Sequence, residues 1–195
     1  MRVSREQAAE NRVRILEVAS RLFREKGFDG IGLADIMKAA GLTHGGFYGH
    51  FKSKLDLEAE ASRATLDKTR LHWQRRLESN PDNPLGALID GYLSEAQRDD
   101  PGTGCAFAAL APDATRHGEV VKAAFSDGLE PLIDMVAQAV PDMPGDDGDA
   151  RRAEALSVIS EMVGALVLAR MVSSGDLSDE ILDASKAHLK QRGSL

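Results

Sequence analysis

The 195-residue chain has little sulfur and few rings: one cysteine, Cys105, one tryptophan, and aromatic residues amounting to only 5%. A single cysteine excludes an intrachain disulfide and a multi-cysteine metal site. No stretch approaches the ~18 uncharged apolar residues that a membrane span needs. The opening MRVSREQAAENR is polar and charged at once and lacks the apolar core of a signal peptide, so the expected location is the cytoplasm. β-Branched residues are sparse and no turn-bounded alternation of apolar and polar residues occurs, which excludes a β fold. The five histidines, His44, His50, His72, His117 and His188, show no HExxH spacing. A GxSxG elbow and a phosphate-cradling glycine loop are also missing. No metal, no cofactor and no catalytic residue is expected, and an enzyme or a helical ligand carrier that never meets nucleic acid stands only as the alternative reading.

What is present is helical periodicity and an uneven charge. The net charge is −7, but residues 1–54 hold ten Lys and Arg against six Asp and Glu, a net of +4, and the remainder carries −11. A basic head on an acidic body is the asymmetry expected when only the head meets phosphate.

The expected architecture is all-α with about nine helices. The first starts at Ser4, with Gln7 at capping-box spacing. It presents Ile15, Leu16, Ala19, Leu22 and Phe23 on one face and stops at Gly27, with Phe28 folding back. A short helix over Leu33–Ala40 ends at Gly41, and another covers about His44–Phe51 after only Leu42 and Thr43. Two short helices about a tight glycine turn form a helix-turn-helix unit. Ser53 with Asp56 starts a long helix to about Leu77. Later helices are expected from Pro84 through Leu93, over Cys105–Ala111 until Pro112 cuts it, and over Glu119–Val140 with Pro131 inside. Two more follow over about Ala150–Val172 and Ser178–Arg192, and the acidic stretch 141–149 is expected to be a flexible loop.

The helix over His44–Phe51 is too short and glycine-rich to hold itself up: Gly45, Gly46 and Gly49 each cost about 1 kcal/mol relative to alanine in a helix interior. Phe47 and Phe51, four apart, are expected to anchor it. Thr43, His44, Gly45, Gly46, Tyr48 and His50 remain outward, followed by Lys52 and Lys54. Small residues let a helix sink into the major groove. Tyr48, His50, Lys52 and Lys54 are suited to phosphate oxygens, and Thr43, His44 and Gly46 to base edges or a thymine methyl.

Residues 27–57, GFDGIGLADIMKAAGLTHGGFYGHFKSKLDL, closely resemble the DNA-binding signature of the TetR/AcrR family of transcriptional regulators. The match is carried by Gly27, Phe28, Asp35, Ile36, Ala40, Gly41, Gly45, Phe47, Tyr48, His50, Phe51, Lys52, Ser53, Lys54 and Leu57. It is dense over about 50 residues and only architectural beyond residue 60. Gly32 departs from the Ser or Thr that usually caps the second helix, and Gly46 and Gly49 replace larger residues with which relatives touch DNA. Direct readout is therefore expected to be sparse.

The resemblance implies a helix-turn-helix domain over residues 1–54 and an effector-binding and dimerisation domain over 55–195. It implies a homodimer on a palindromic double-stranded operator, repression, and release by a small-molecule effector or thiol modification. The eighth helix is apolar nearly all round, so one side is expected to face a second subunit. Ala155, Ile159, Met162, Leu166 and Ala169, with Ile181 and Leu182 on the last helix, are the interface candidates, and a wholly intrachain core is the alternative. Trp73, Tyr92, Phe107, Phe125, Met135 and Met162 are candidates for the effector cavity, each with plain core as its alternative. Cys105 opens GCAFAALAPDATR, which is similar to a segment of a TetR subgroup that includes electrophile- and oxidant-sensing repressors. A thiol at a helix N-terminus suits that role, and a small buried apolar residue is the other reading.

Overall fold

The computed structural model describes residues 4–141 and 148–192; most of the acidic 141–149 stretch thus lies outside the described residues. Among these there are nine α-helices, one 3₁₀ helix and no strand, as the all-α expectation required. The elements are α1 (Arg5–Lys26), α2 (Leu33–Ala39), the 3₁₀ helix (His44–Gly49), α3 (Lys54–Glu78), α4 (Pro84–Tyr92), α5 (Glu95–Asp99), α6 (Ala106–Ala114), α7 (Gly118–Ala139), α8 (Asp149–Met171) and α9 (Gly175–Arg192).

The local signals operate as the residues dictate. Ser4 Oγ accepts from the Gln7 amide at 3.1 Å, although the Gln7 side chain turns to Glu10 and Asn11 rather than closing the box. Gly27, at φ +75°, ends α1, and Phe28 packs edge-on against Phe23 with ring centres 5.1 Å apart. Gly41, at φ +70°, closes α2 in a Schellman turn. The Leu42 amide donates to the Met37 carbonyl and the Gly41 amide to the Lys38 carbonyl, which satisfies carbonyls that the helix end would leave orphaned. Ser53 caps α3 through the Asp56 amide, and the Asp56 carboxylate reaches back to the Lys52 amide.

Four boundaries differ from the sequence expectation. The segment expected as an α-helix over His44–Phe51 is a 3₁₀ helix ending at Gly49, the tighter form that short, weakly propagating segments adopt. Pro112 does not cut α6, which runs to Ala114; Ala106, Leu110 and Ala114 form a buried stripe that holds the last turn in place. Ser94 caps the unexpected α5. Ser178 is not the start of α9 but sits in its first turn, buried, its hydroxyl donating to the Ala169 carbonyl at 2.8 Å.

Two apolar clusters organise the packing. One gathers Ile15, Ala19, Phe23, Phe28, Ile36, Met37, Phe47 and Phe51 and continues through Leu57 and Leu66 to Leu110 and Phe125. The other surrounds α8 with Leu88, Tyr92, Leu132, Ile133 and Leu189. The long α3 belongs to both, lying along α1 in the first and crossing α7 so closely that a Cβ on Gly128 would meet Leu66 at 2.5 Å. Burying each large apolar side chain in these clusters contributes about 1.5–3 kcal/mol. The same α3 is therefore a rigid element common to both clusters.

Candidate nucleic-acid interface and ligand cavity

The 3₁₀ helix is held from beneath. Phe47 is fully buried and Phe51 nearly so, their rings stacked at 5.7 Å, and Arg12 of α1 lies 4.8 Å over the Phe51 ring while pairing with Glu60 of α3. Above this base Thr43, His44, Gly45, Gly46 and Tyr48 are exposed, Tyr48 to 67%. His50 is half-buried and Lys52 exposed. The structure corrects the place of Lys54: its ammonium donates to the Phe28 carbonyl at 2.5 Å and lies 3.8 Å from Glu58. That charge is spent on the junction between head and body rather than on the outward face.

The glycines of this surface have no internal reason to be glycine. A Cβ on Gly45 or Gly49 would meet nothing within 4 Å, and one on Gly46 would make only ordinary contacts with Thr43 and Met37. None of the three has a positive φ. Neither packing nor backbone conformation excludes alanine at these positions.

The head joins the body through two polar devices. In the first, buried Glu58, 2% exposed, meets His117 Nδ1 at 3.1 Å, and His117 Nε2 reaches Asp29 at 3.3 Å. Burial pushes the Glu58 carboxyl above its ordinary range, against the opposing pull of His117 and Lys54. Asp113 of α6 accepts from the Phe28 amide at 3.1 Å. In the second, Arg24 in the last turn of α1 donates to Thr65 Oγ1 of α3 at 2.8 Å and to the Gly102 carbonyl.

Arg24 also lines a cavity of about 590 Å³ with Thr65, Lys68, His72, Trp73, Arg75, Tyr92, Gln97, Gly104 and Cys105 among its walls. Of the expected effector residues, the structure brings Trp73, Tyr92 and Cys105 together here, the two rings edge-to-face at 5.9 Å. Met135 lies apart, in a groove of about 530 Å³ with Leu77, Pro84 and Pro131. Phe107 and Phe125 pack on each other at 5.5 Å, and Met162 is fully buried; none of these three lines either cavity. Their side chains are used in joining α6, α7 and α8, a role that their apolar character alone does not separate from lining a pocket.

The dimer candidates need the same correction. Ala155, Ile159, Met162, Leu166, Ala169 and Leu182 are buried against the chain's own helices, and Ile181 is half-buried. The stripe of α8 left bare is the opposite one: Leu156, Leu168 and Met171 are exposed, Val163 and Val167 half-exposed, with Leu177 exposed on α9. Helical periodicity defines both stripes of an all-apolar helix but does not say which one its own chain covers.

Sequence reasoning missed Arg24, Arg170 and Gln97. Arg170 was visible as the one base near the end of an otherwise apolar run, the cue that a buried charge has a purpose.

Residues 15–61 match the family of bacterial regulatory proteins described as the tetR family. The transcriptional regulator AcrR of Shigella flexneri is 39% identical over 90 residues, 45% of this chain and 40% of that protein. TtgR of Pseudomonas putida is 38% identical over 89 residues, 45% of this chain and 42% of that protein. The chain thus matches about two-fifths of the length of these curated relatives. Over nearly the whole chain the fold is that of solved regulators. A TetR regulator from Chloroflexus aurantiacus superposes with TM-score 0.79 at 25% identity, covering 95% of each chain. Escherichia coli NemR in its reduced form superposes with TM-score 0.78 at 22% identity, covering 93% of this chain and 96% of that one. By its head the chain matches the tetR family of bacterial regulatory proteins, and over nearly its whole length it has the fold of solved TetR regulators.

Proposed function

We propose that the protein is a homodimeric transcriptional repressor that binds a palindromic operator and leaves it when its body cavity is occupied or its thiol is modified. Residues 1–54 are the DNA-binding unit and 55–195 the effector and dimer unit of this cytoplasmic protein. The observation that carries the reading is the bare, glycine-bearing surface from Thr43 to Tyr48, which nothing inside the chain requires to be bare. Backbone placed that close to the surface enters a major groove, where Thr43, His44 and Gly46 meet base edges and Tyr48, His50 and Lys52 meet phosphates. Two such surfaces spaced by about 34 Å, one helical turn of DNA, address a palindrome.

The exposed stripe of Leu156, Val163, Val167, Leu168 and Met171, continued by Leu177, supplies the dimer face. A ligand in the cavity, against Trp73 and Tyr92, displaces α3 or the loop at Gly102. Both are tied to α1 through Arg24, so the head moves with them. DNA and effector then weaken each other's binding by the same factor.

Cys105, 5% exposed in the cavity wall at the start of α6, is the site for thiol modification, and it supports a redox-responsive form of the same mechanism. Quinone or hypochlorite should release DNA from the wild type and not from Cys105→Ser; equal release from both removes the thiol from the mechanism. The reading as a whole is tested by retardation of the gene's own upstream fragment at several salt concentrations. Retention at low salt that falls steeply with ionic strength is expected, and no retention without effector overturns it.

A further inference from the structure

Resting on the reading of the 590 Å³ cavity as the effector site, we infer that its ligand is a small organic anion, a carboxylate on a flat apolar body, held by Arg24 and the Tyr92 hydroxyl of the lining and by Arg170, which lies behind the Gly104 wall. The lining carries Arg24, Lys68, His72 and Arg75 and not one carboxylate. Lys68 already pairs with Glu17, at 3.3 Å, His72 and Arg75 are exposed, and Arg24 is the half-buried base of the lining.

Arg170 of α8 lies directly behind the Gly104 wall, where a Cβ would stand 2.5 Å from its Nη2, and its other side lines a separate pocket with Arg98, Asp99 and Ser178. That nitrogen donates to the Gln97 carbonyl, whereas Nε and Nη1 are buried with no hydrogen-bond partner. The Tyr92 hydroxyl, in a side chain only 3% exposed, is buried in the cavity wall and likewise unpartnered. Burial lowers the affinity of both Arg170 and Arg24 for their protons, though an arginine stays charged regardless.

A buried guanidinium with two idle nitrogens is unfavourable unless something accepts from them. The nearby carboxylate of Asp100 does not: it accepts from the Thr103 amide and hydroxyl at 3.3 and 2.8 Å and makes no hydrogen bond to Arg170. A ligand carboxylate fits the vacant acceptor role, and Trp73 and Tyr92, packed edge-to-face at 5.9 Å, offer one apolar wall to the ligand's ring. An anion at this end also competes with the Gly102 carbonyl for Arg24, and so acts on the last turn of the head's first helix.

Trp73 is the chain's sole tryptophan, so its fluorescence reports this cavity. The full-length chain is titrated with 3-phenylpropionate and with its neutral isostere 3-phenylpropionamide. The acid is expected to change Trp73 emission saturably and to bind at least about tenfold more tightly than the amide, as loss of a charge-assisted hydrogen bond requires. Arg170→Gln should erase most of that preference and Arg170→Lys restore part of it, with melting curves checking the fold. Equal response to acid and amide, no response to either, or an undiminished preference in folded Arg170→Gln overturns the anion site. Because the acid–amide comparison needs only the wild type, it stands even if the variants fail to fold. Retardation of the upstream fragment by the same preparation separates the two readings. Acid preference without retardation refutes the regulator and keeps the anion site, and retardation without acid preference does the reverse.

Discussion

At the scale of the residue, the surface of the 3₁₀ helix is a case where glycine is unfavourable for folding and is retained nonetheless. Open space beyond Gly45 means that Gly45→Ala should leave the melting temperature unchanged or raise it, since alanine restricts the unfolded chain by about 0.4–1 kcal/mol. The added methyl stands between the backbone and the groove floor, so affinity for operator DNA should fall by about tenfold or more, the cost of one lost close contact. Gel retardation beside thermal melts checks both halves, and a variant that binds DNA as well as the wild type contradicts the assigned surface. Tyr48 and Lys52 were legible as outward residues because their neighbours Phe47 and Phe51 are so clearly inward. Lys54 was not, because a cation at a helix start reads the same whether it meets a phosphate or, as here, the Phe28 carbonyl and Glu58.

Among the elements, α3 is the member through which head and body share their fate, and Glu58 sits where the two meet. Its carboxyl is raised, first by burial, above the ordinary 4.5. The folded state therefore binds this proton more tightly than the unfolded chain does. The resulting stability is full below the unfolded value and is lost as pH rises through the raised one. Glu58→Gln keeps a hydrogen-bonding group beside His117 and cannot ionise. The melting temperature of this variant relative to wild type should accordingly climb as pH goes from 4.5 to about 7, and a difference independent of pH would contradict a buried, desolvated carboxyl. Helix identity and most termini were readable from caps and glycines: Ser4, Gly27, Gly41 and Ser53 each act within one turn of themselves. The continuation of α6 past Pro112 was not readable, because the buried stripe that sustains it is made with residues far away in the chain.

For the whole molecule, the apolar surplus of α8 points to a second subunit, but on the face opposite to the one first expected. Leu168→Glu places a charge on the exposed stripe, where Leu168 is 47% exposed. The chain should still fold, since nothing in its own core is touched, but should sediment as a monomer and lose most of its DNA retention with the second half-site contact. Analytical ultracentrifugation decides the first and gel retardation the second, and a Leu168→Glu protein that remains a dimer puts the interface elsewhere.

The linear order of residues was enough to establish the all-helical fold, the helix-turn-helix and the outward surface from Thr43 to Lys52. These depend on periodicity, caps and turn glycines, which act over a few residues and are written locally. Tertiary structure alone decided which stripe of α8 is core, which of Trp73, Tyr92, Cys105, Phe107, Phe125, Met135 and Met162 share a cavity, and that Arg24 lines it with Arg170 behind its Gly104 wall. Those outcomes depend on which distant helices come to lie against one another, and an apolar residue offers the same hydrophobic gain whichever neighbour it finds.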